Sequence, residues 1–290
     1  MAKNFGIFYF SGTGNTWWAA RQTASGLEAR GWRGRIISIE TVTPPEAAGL
    51  MEKLDLVLFG YPVYASDLPM PMWDFLGALP DRKSPVKPAG VFCTQWLFSG
   101  DGAILPRLIL ENKGFRQDWA VHLRMPNNIC VPQSPLGFSA DYQRHRGRRE
   151  KTQRKIDQFC ARLSRGERWL QGRNRFWTSN ALLQRRPYRK YFPRWRDDFS
   201  VDSGCCTFCG RCEKICPVEN IIVTGDGVRF KGECVLCLRC YNYCPAQAIM
   251  YRGKKHNLRR GLPFHGPVRE FRPELLRPGS GPGENLQEDV

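Results

Sequence analysis

The sequence predicts two parts: an α/β domain built on a parallel sheet, and after it a small α+β domain rich in cysteine. Five short apolar runs, rich in β-branched and aromatic residues, are separated by stretches long enough for helices. Such alternation is typical of strands joined by crossover helices, which form parallel sheets. Nine of the twelve cysteines lie between Cys205 and Cys244. The predicted strands are residues 4–10, 34–40, 54–63, 88–96 and 117–125.

Two of the predicted helices carry apolar stripes that should pack on the sheet. The first begins near Gly14 and ends near Gly31, and the last covers about residues 150–163. Apolar residues recur in both at intervals of three and four, which puts them on one helical face. With the last helix, the first domain extends over residues 1–165. The stripes consist of Trp17, Ala20, Ala24 and Leu27 in the first helix, and of Ile156, Phe159, Cys160 and Leu163 in the last.

Two further segments frame the cysteine-rich domain, which we place at residues 201–252. Residues 166–200 form a basic connector whose eight aromatic residues are too many for a free linker. We expect it to pack on one or both domains, with Pro187 and Pro193 interrupting any long helix. Residues 253–290 are rich first in Arg and Lys and then in Pro and Gly. We expect this tail to be disordered.

The formal net charge of +17 is concentrated in one segment. Between Arg144 and Arg196, eighteen Lys or Arg residues stand against three acids, a surplus of 15 positive charges. Such a segment suits docking of an acidic redox partner protein, contact with an anionic membrane surface, or nucleic-acid binding. A plain solvated surface is the fourth interpretation. We favour partner docking and expect nucleic-acid binding least.

The N-terminal residues MAKNFGIFYF lack the apolar region and the cleavage site of a secretory signal. No apolar run reaches the roughly 20 residues that a membrane-spanning helix needs. Cysteines at metal-ligand spacing also fit a reducing compartment. We therefore expect a soluble, cytoplasmic protein.

The cysteines form the pattern Cys-x2-Cys-x2-Cys-x3-Cys-Pro twice, and every cysteine of the second copy is displaced by 28 residues. This is an internal duplication. Three closely spaced cysteines can wrap over three corners of a cuboidal 4Fe-4S cluster, and a distant cysteine must then bind the fourth iron. The alternative is a pair of zinc sites, but zinc needs two separated pairs of ligands and has no use for the third cysteine. The spacing therefore predicts two 4Fe-4S clusters.

In this class of motif, the fourth cysteine of each run binds the other cluster. Residues 202–251 resemble the bacterial two-cluster ferredoxins, with all eight ligands present. The resemblance departs at Leu238, where glycine is often found, and we expect only a local adjustment there. Cys205 lies outside the register and is interpreted as a non-ligand, with a ligand exchange as the alternative. The predicted sets are Cys206, Cys209, Cys212 and Cys244 for cluster 1, and Cys234, Cys237, Cys240 and Cys216 for cluster 2.

The other cysteines and the four histidines show no metal-binding or catalytic pattern. Cys93, Cys130 and Cys160 lack partners at ligand spacing, so we expect packing roles for them. The histidines are scattered and are interpreted as ordinary surface or packing residues. No Ser-His-Asp set or carboxylate pair stands out. The sequence therefore predicts no catalytic side chain beyond the cofactor sites.

A glycine-rich loop follows the first strand and precedes the first helix. Gly12 and Gly14 allow the backbone to turn and to direct amide hydrogens toward an anion, and the helix N-terminus adds partial positive charge. The loop lacks the ending of a Walker A motif and the spacing of the dinucleotide fingerprint, so ATP and NAD are disfavoured. The predicted site for a terminal phosphate consists of Ser11, Gly12, Thr13, Gly14, Asn15 and Thr16.

This loop resembles the FMN-phosphate loop of flavodoxins. With the cysteine motifs, the chain looks like the flavodoxin-ferredoxin fusions known as EFR1-family ferredoxins. The resemblance implies a flavodoxin-like sheet with strand order 2-1-3-4-5 and FMN at the carboxyl ends of the strands. Loops at residues 60–65, 94–100 and 125–128 would frame the isoalloxazine ring. Tyr61, Tyr64 or Trp96 would stack on this ring, or would instead fill the core beneath the loops.

The combination of motifs predicts an electron-transfer protein, because FMN accepts one or two electrons and each cluster passes one. Such a protein would relay low-potential electrons to or from a partner oxidoreductase. The alternatives are a flavin-dependent reductase and a reductive activator, each fed by its own iron-sulfur clusters.

Overall fold

A computed structural model describes residues 2–81, 86–134, 137–138 and 140–277. The strands of the first domain are β1 (Asn4–Tyr9), β2 (Arg33–Ser38), β3 (Leu56–Pro62), β4 (Lys87–Gln95), β5 (Phe115–Arg124) and β6 (Trp169–Leu170). They form one parallel sheet in the order β2-β1-β3-β4-β5-β6. The predicted α/β class and the flavodoxin-like order 2-1-3-4-5 are confirmed. The two-residue β6, which extends the sheet beside β5, was not predicted.

Helices cover both faces of this sheet: α1 (Asn15–Glu28), α2 (Pro44–Glu52), α3 (Met70–Ala78), α4 (Arg107–Asn112) and α5 (Arg146–Arg165). Alternate residues of β1 enter two hydrophobic cores, so that Ile7 packs with α1 and α5 while Phe8 packs with α2 and α3. All eight residues of the two predicted apolar stripes are buried. A Cβ on Gly26 of α1 would lie 2.8 Å from the Sγ of Cys160, so this glycine lets α1 and α5 approach closely.

A helix of 22 residues, α6 (Arg175–Arg196), passes through the connector. The prediction that Pro187 and Pro193 would interrupt a long helix is therefore wrong. Each proline removes one backbone donor, but the residues four positions earlier, Leu183 and Arg189, are exposed, so that water can replace the missing bond. Within the described ranges, no helix is both long and apolar enough to span a membrane.

Arginine side chains attach α6 to the first domain. Arg185 is 5% exposed, donates a hydrogen bond to the carbonyl of Ser66, and pairs with the carboxylate of Asp101. Arg189 donates to both carboxylate oxygens of Asp67. The connector thus packs on the loops at the carboxyl ends of the strands.

The cysteine-rich domain consists of β7 (Phe199–Val201), α7 (Arg211–Lys214), β8 (Ile221–Thr224), β9 (Gly227–Phe230), α8 (Arg239–Tyr243) and β10 (Ile249–Tyr251). β7 pairs with β10 and β8 with β9, and both pairings are antiparallel. The helical turns α7 and α8 each contain the third cysteine of one motif. The predicted small α+β domain is confirmed.

The backbone repeats at the same interval as the cysteines. Gly210 and Leu238 precede α7 and α8 with left-handed φ angles of 71° and 61°, and Phe208 and Leu236 share φ angles of 51° and 56°. Left-handed backbone costs a residue other than glycine about 1–2 kcal/mol. The backbone at Leu238 therefore has the same turn that glycine forms at Gly210. The leucine adopts it at this cost in conformational energy.

The expectation of a disordered tail is wrong for residues 253–277, while residues 278–290 lie outside the described ranges. Phe271 is 2% exposed and contacts Trp17 with ring centroids 5.2 Å apart. The hydroxyl of Ser38 donates to the carbonyl of Leu276 at 2.9 Å. The high charge of the segment suggested disorder, but a few apolar side chains are enough to anchor it on the first domain.

Arg239 joins the two domains at the glycine-rich loop. Its side chain is completely buried. The guanidinium donates to the carbonyls of Ser11 at 2.6 Å and Gly12 at 3.0 Å, and it pairs with Glu40, whose side chain is 6% exposed. The cysteine-rich domain is thereby fixed on the loop that follows β1.

We expect Arg239→Met to destabilise the protein by about 3–5 kcal/mol, because the carboxylate of Glu40 would stay buried without its partner. Arg211→Met is the matched control, since Arg211 holds the same place in the first motif and its pair with Glu274 is 36% and 30% exposed. Thermal unfolding of the anaerobically purified variants measures both effects. Equal losses of Tm in the two variants would contradict this account.

Candidate functional site

A cavity of about 560 Å³ lies at the carboxyl ends of the strands, beside the glycine-rich loop. This is the edge at which open α/β sheets bind ligands. All three loops that were predicted to frame a ring contribute to its wall, through residues 62–65, 94–98 and 126–128. The glycine-rich loop contributes Ser11, Gly12, Thr13, Asn15 and Thr16.

The glycine-rich loop has the form of an anion site. Gly14 precedes α1 with a φ of 98°, which favours glycine. The hydroxyl of Ser11 accepts hydrogen bonds from the amides of Gly14 and Trp17, both at 3.2 Å. Four other amides at this end of α1 are available to a phosphate, because no acceptor in the described part of the chain binds them. They belong to Gly12, Thr13, Asn15 and Thr16.

Side chains hold the loops around the cavity in fixed positions. The hydroxyls of Thr16 and Thr94 lie 2.8 Å apart, and the amide of Asn128 donates to the hydroxyl of Thr13 at 2.9 Å. The hydroxyl of Thr13 accepts this bond, so its own hydrogen stays available to a phosphate, and either hydroxyl of the Thr16–Thr94 pair can be the donor.

Two buried polar atoms at the cavity lack a hydrogen-bond partner among the described residues. They are the hydroxyl oxygen of Tyr64 and the Oδ1 of Asn15. The other side-chain atom of Asn15, Nδ2, donates to the carbonyl of Pro126 at 2.9 Å. A buried polar atom without a partner costs about 1–3 kcal/mol. A polar heterocycle that formed hydrogen bonds with these two atoms would remove this cost.

Tyr64 and Trp96, two of the three aromatic residues predicted to stack on a ring, line the cavity. The prediction for Tyr61 is wrong. Its side chain is completely buried, and its hydroxyl donates to the carbonyl of Gly102 at 2.7 Å. Because side chains alternate along β3, this residue points into the core beneath the loops.

Sequence reasoning missed the far wall of the cavity. The aromatic content of the connector was the only signal for it, and the residues that face the cavity depend on how the domains dock. α6 contributes Gln184, Tyr188 and Trp195, and the cysteine-rich domain contributes Phe199, Leu236, Leu238 and Tyr251.

Cys237 lies directly behind this wall, because Leu236 and Leu238 flank it in the chain. A Cβ built on Gly12 would lie only 2.9 Å from the carbonyl oxygen of Cys237 and 3.1 Å from the hydroxyl of Tyr64. Gly12 is therefore needed for the contact between the domains. The glycine-rich loop and a predicted cluster ligand meet here.

The thiols of the first predicted set interact electrostatically. Burial is the largest cause that raises the pKa of Cys212 to about 11, and the neighbouring thiols of Cys244, Cys206 and Cys209 contribute to this rise. Cys244 comes from the second motif and the other three from the first. This grouping agrees with the crossed set predicted for cluster 1.

The second predicted set behaves in the same way. Burial raises the pKa of Cys240 well above its ordinary value, and Cys234, Cys237 and Cys216 are the thiols that add most to this rise. Here Cys216 is the member from the other motif. The grouping agrees with the crossed set predicted for cluster 2.

Across residues 2–81, 86–134, 137–138 and 140–277, no group of three or more His, Cys, Asp or Glu side chains surrounds a single metal ion. A cuboidal cluster does not need such a group, because each cysteine binds a different iron atom. A donor set made only of thiols on short turns suits an iron-sulfur cluster.

The remaining buried cysteines have contacts that spacing alone did not reveal. The Sγ of Cys130 lies 2.6 Å from the Oδ1 of Asn242, which joins the two domains. The Sγ of Cys93 lies 3.3 Å from the Nδ1 of His122, and burial lowers the pKa of this histidine to about 4. Both cysteines are buried in the core, as expected of packing residues.

The basic segment at residues 144–196 uses part of its charge within the molecule. Ion pairs between exposed side chains contribute little stability, but the pairs on buried carboxylates hold α6 and β6 in place. The segment is therefore not simply a charged face presented to a partner. Its pairs include Arg146 with Glu150, Arg165 with Glu167, Arg168 with Asp118, Arg185 with Asp101, Arg189 with Asp67 and Arg196 with Glu233.

No protein-family model matches the chain, and no curated protein matches it. Among solved structures, it is similar to a flavodoxin from the domain Archaea, with 15% identity over 57% of this chain and 98% of that chain, at a TM-score of 0.39. A flavodoxin from Streptococcus pneumonia TIGR4 has 19% identity over 57% and 99%, at 0.40. Flavodoxin 2 from Bacillus cereus has 19% identity over 57% and 99%, at 0.41. Likenesses at this level assign no function to this chain.

Proposed function

We propose that the protein is an electron carrier that holds FMN and two 4Fe-4S clusters and relays low-potential electrons to or from a partner oxidoreductase. The observation that carries the proposal is the shared wall of the cavity. The anion-binding loop lines one side, and Leu236 and Leu238, which flank a predicted cluster ligand, line another. A flavin and a cluster held at these two places would be separated by few protein atoms.

The lining residues fit FMN, a cofactor that exchanges one or two electrons. The free amides at the start of α1 would hold its phosphate, and the partial positive charge of the helix N-terminus would stabilise the anion. The rings of Tyr64 and Trp96 would offer flat faces to the isoalloxazine. The unpartnered atoms of Tyr64 and Asn15 would bond its polar edge.

The cysteine-rich domain would hold its clusters by the two crossed thiol sets and shield one of them more than the other. Cys216 and Cys237 of the second set are 8% and 7% exposed, whereas Cys209 of the first set is exposed. Ile221 and Ile249, which follow the two Cys-Pro pairs, are each 3% exposed and exclude water. Control of solvent access is one contribution of the protein to cluster potential, and backbone amides that donate to the sulfurs of Cys216, Cys234 and Cys244 are another.

Anaerobic purification followed by iron, sulfide, zinc and flavin analysis tests the proposal. About eight iron and eight sulfide with one FMN per chain are expected. Zinc in place of iron would overturn the electron-transfer function. Iron without FMN would reduce the protein to a cluster carrier on a flavodoxin-like domain.

Cys237→Ser is expected to lose cluster 2 and with it about half of the iron, because a hydroxyl is a poor substitute for a thiolate ligand. Cys205→Ser is the matched control, since Cys205 lies beside a predicted ligand but outside the motif. Iron content and low-temperature EPR of the reduced variants distinguish the two. Iron loss from Cys205→Ser would instead support the ligand exchange.

Gly12→Ala is expected to weaken FMN binding about tenfold or more, or 1.4 kcal/mol. Its Cβ would be forced against the carbonyl of Cys237, a backbone atom that cannot turn aside. Gly49→Ala is the control, because a Cβ at this position of α2 meets nothing within 4 Å. Titration of flavin-free protein with FMN measures both affinities. Unchanged affinity in Gly12→Ala would place the phosphate elsewhere.

A further inference from the structure

The two copies of the cysteine motif present equivalent turns to different surroundings. In the second copy, Leu236 and Leu238 face the cavity, and Leu238 is 9% exposed. In the first copy, Phe208 occupies the place of Leu236 with the same left-handed backbone, but it is 42% exposed. One turn is thus docked on the first domain, and its duplicate faces outward.

The exposed thiols follow the same division. Cys205 and Cys209 beside Phe208 are exposed, whereas Cys216 and Cys237 are buried. Electron transfer between proteins requires a close approach of the two redox centres, because its rate falls steeply with distance. Of the two proposed clusters, cluster 1 is therefore the one that a second protein can approach.

A basic turn lies next to this exposed turn. The Nζ of Lys255 is 3.0 Å from the Sγ of Cys205 and pairs with Asp202, so residues 252–255 and 203–209 adjoin. We name these two stretches the cluster-1 face. Arg252 and Lys255 of this face pair with Asp198 and Asp202, so Lys254 is its cation without an ion pair among the described residues. The exposed apolar ring of Phe208 and the exposed cation of Lys254 suit a partner surface with a carboxylate near an apolar patch.

We propose that the cluster-1 face docks an acidic one-electron carrier protein, a partner that rests on the proposed electron-transfer function. One electron would pass between cluster 1 and the partner's redox centre, so one centre is oxidised as the other is reduced. No bond forms or breaks and no proton moves. Cluster 2, beside the second motif, would exchange electrons with the flavin, and cluster 1, beside the first motif, would exchange them with the partner.

This location differs from the basic segment at residues 144–196, which the sequence favoured for partner docking. Part of that segment, α6, covers the cavity, and Arg185 and Arg189 are bound to carboxylates of the first domain. The α6 part of the segment forms a wall of the cavity in which we propose that FMN binds. The cluster-1 face is the place where a basic turn adjoins the exposed turn of the first cysteine motif.

Lys254→Glu tests the proposal, with Lys190→Glu on α6 as the matched control. Both lysines are exposed, and both variants change the net charge by the same amount. The probes are rubredoxin, a small acidic iron protein, and the basic horse cytochrome c. We would measure the binding affinity for each oxidised probe and the rate constant for its reduction by the reduced protein, from about 20 mM to 500 mM salt.

At low salt, we expect Lys254→Glu to lower rubredoxin affinity and the rate constant at least about threefold, a part of the 10- to 1,000-fold that electrostatic steering supplies. Lys190→Glu should change both by less than half as much. Cytochrome c should bind Lys254→Glu better than the unaltered protein. These differences should disappear at 500 mM salt, where the screening length is only a few ångströms.

Two results would overturn the docking site: equal effects of the two variants, or a larger effect of Lys190→Glu. Iron and flavin content, measured first, separates this outcome from failure of the proposed function. A protein that holds eight iron and FMN but shows no Lys254 effect refutes the docking site alone. A protein without clusters refutes both.

Discussion

The buried pair of Arg239 and Glu40 is the interaction on which the arrangement of the site depends. A buried charge is stable only when it is paired and its hydrogen-bond donors are satisfied. Arg239 meets this condition only by reaching the carbonyls of Ser11, Gly12 and Ile215 together with the Glu40 carboxylate. Three separate parts of the chain must therefore come together before the pair is stable. The glycine-rich loop and the cysteine-rich domain are thereby held in one relative position.

Only the second of the two duplicated motifs contributes to the described wall of the cavity, through Leu236 and Leu238. Both copies use the same backbone, with left-handed residues at corresponding places. In the first copy Gly210 adopts this conformation without strain, whereas in the second copy Leu238 adopts it at a cost of about 1–2 kcal/mol. Strained residues persist where surrounding contacts fix them, often at functional sites. The side chain of Leu238 fills the wall between the cavity and Cys240, a place that glycine would leave open.

The periodicity of apolar residues was enough to predict the strands and the helices α1 and α5, because these elements bury continuous stripes, whereas the order of the sheet followed from the resemblance of the glycine-rich loop to flavodoxins. The same reasoning failed for α6, where Arg185 and Arg189 compensate for two prolines through contacts with distant carboxylates. It also failed for Tyr61, because the direction of a side chain on a strand depends on the exact register. The far wall of the cavity could not be predicted, since Leu236 and Leu238 reach it only after the domains dock.

The most direct test is a crystal structure of the protein purified without oxygen, with iron positions located by anomalous scattering. The account predicts two four-iron clusters held by the crossed cysteine sets, and FMN in the cavity with its phosphate on the amides of Gly12, Thr13, Asn15 and Thr16. The cluster held by Cys237 should be the one nearer the flavin. A flavin bound away from this loop, or one that lies nearer the cluster held by Cys209, would contradict it.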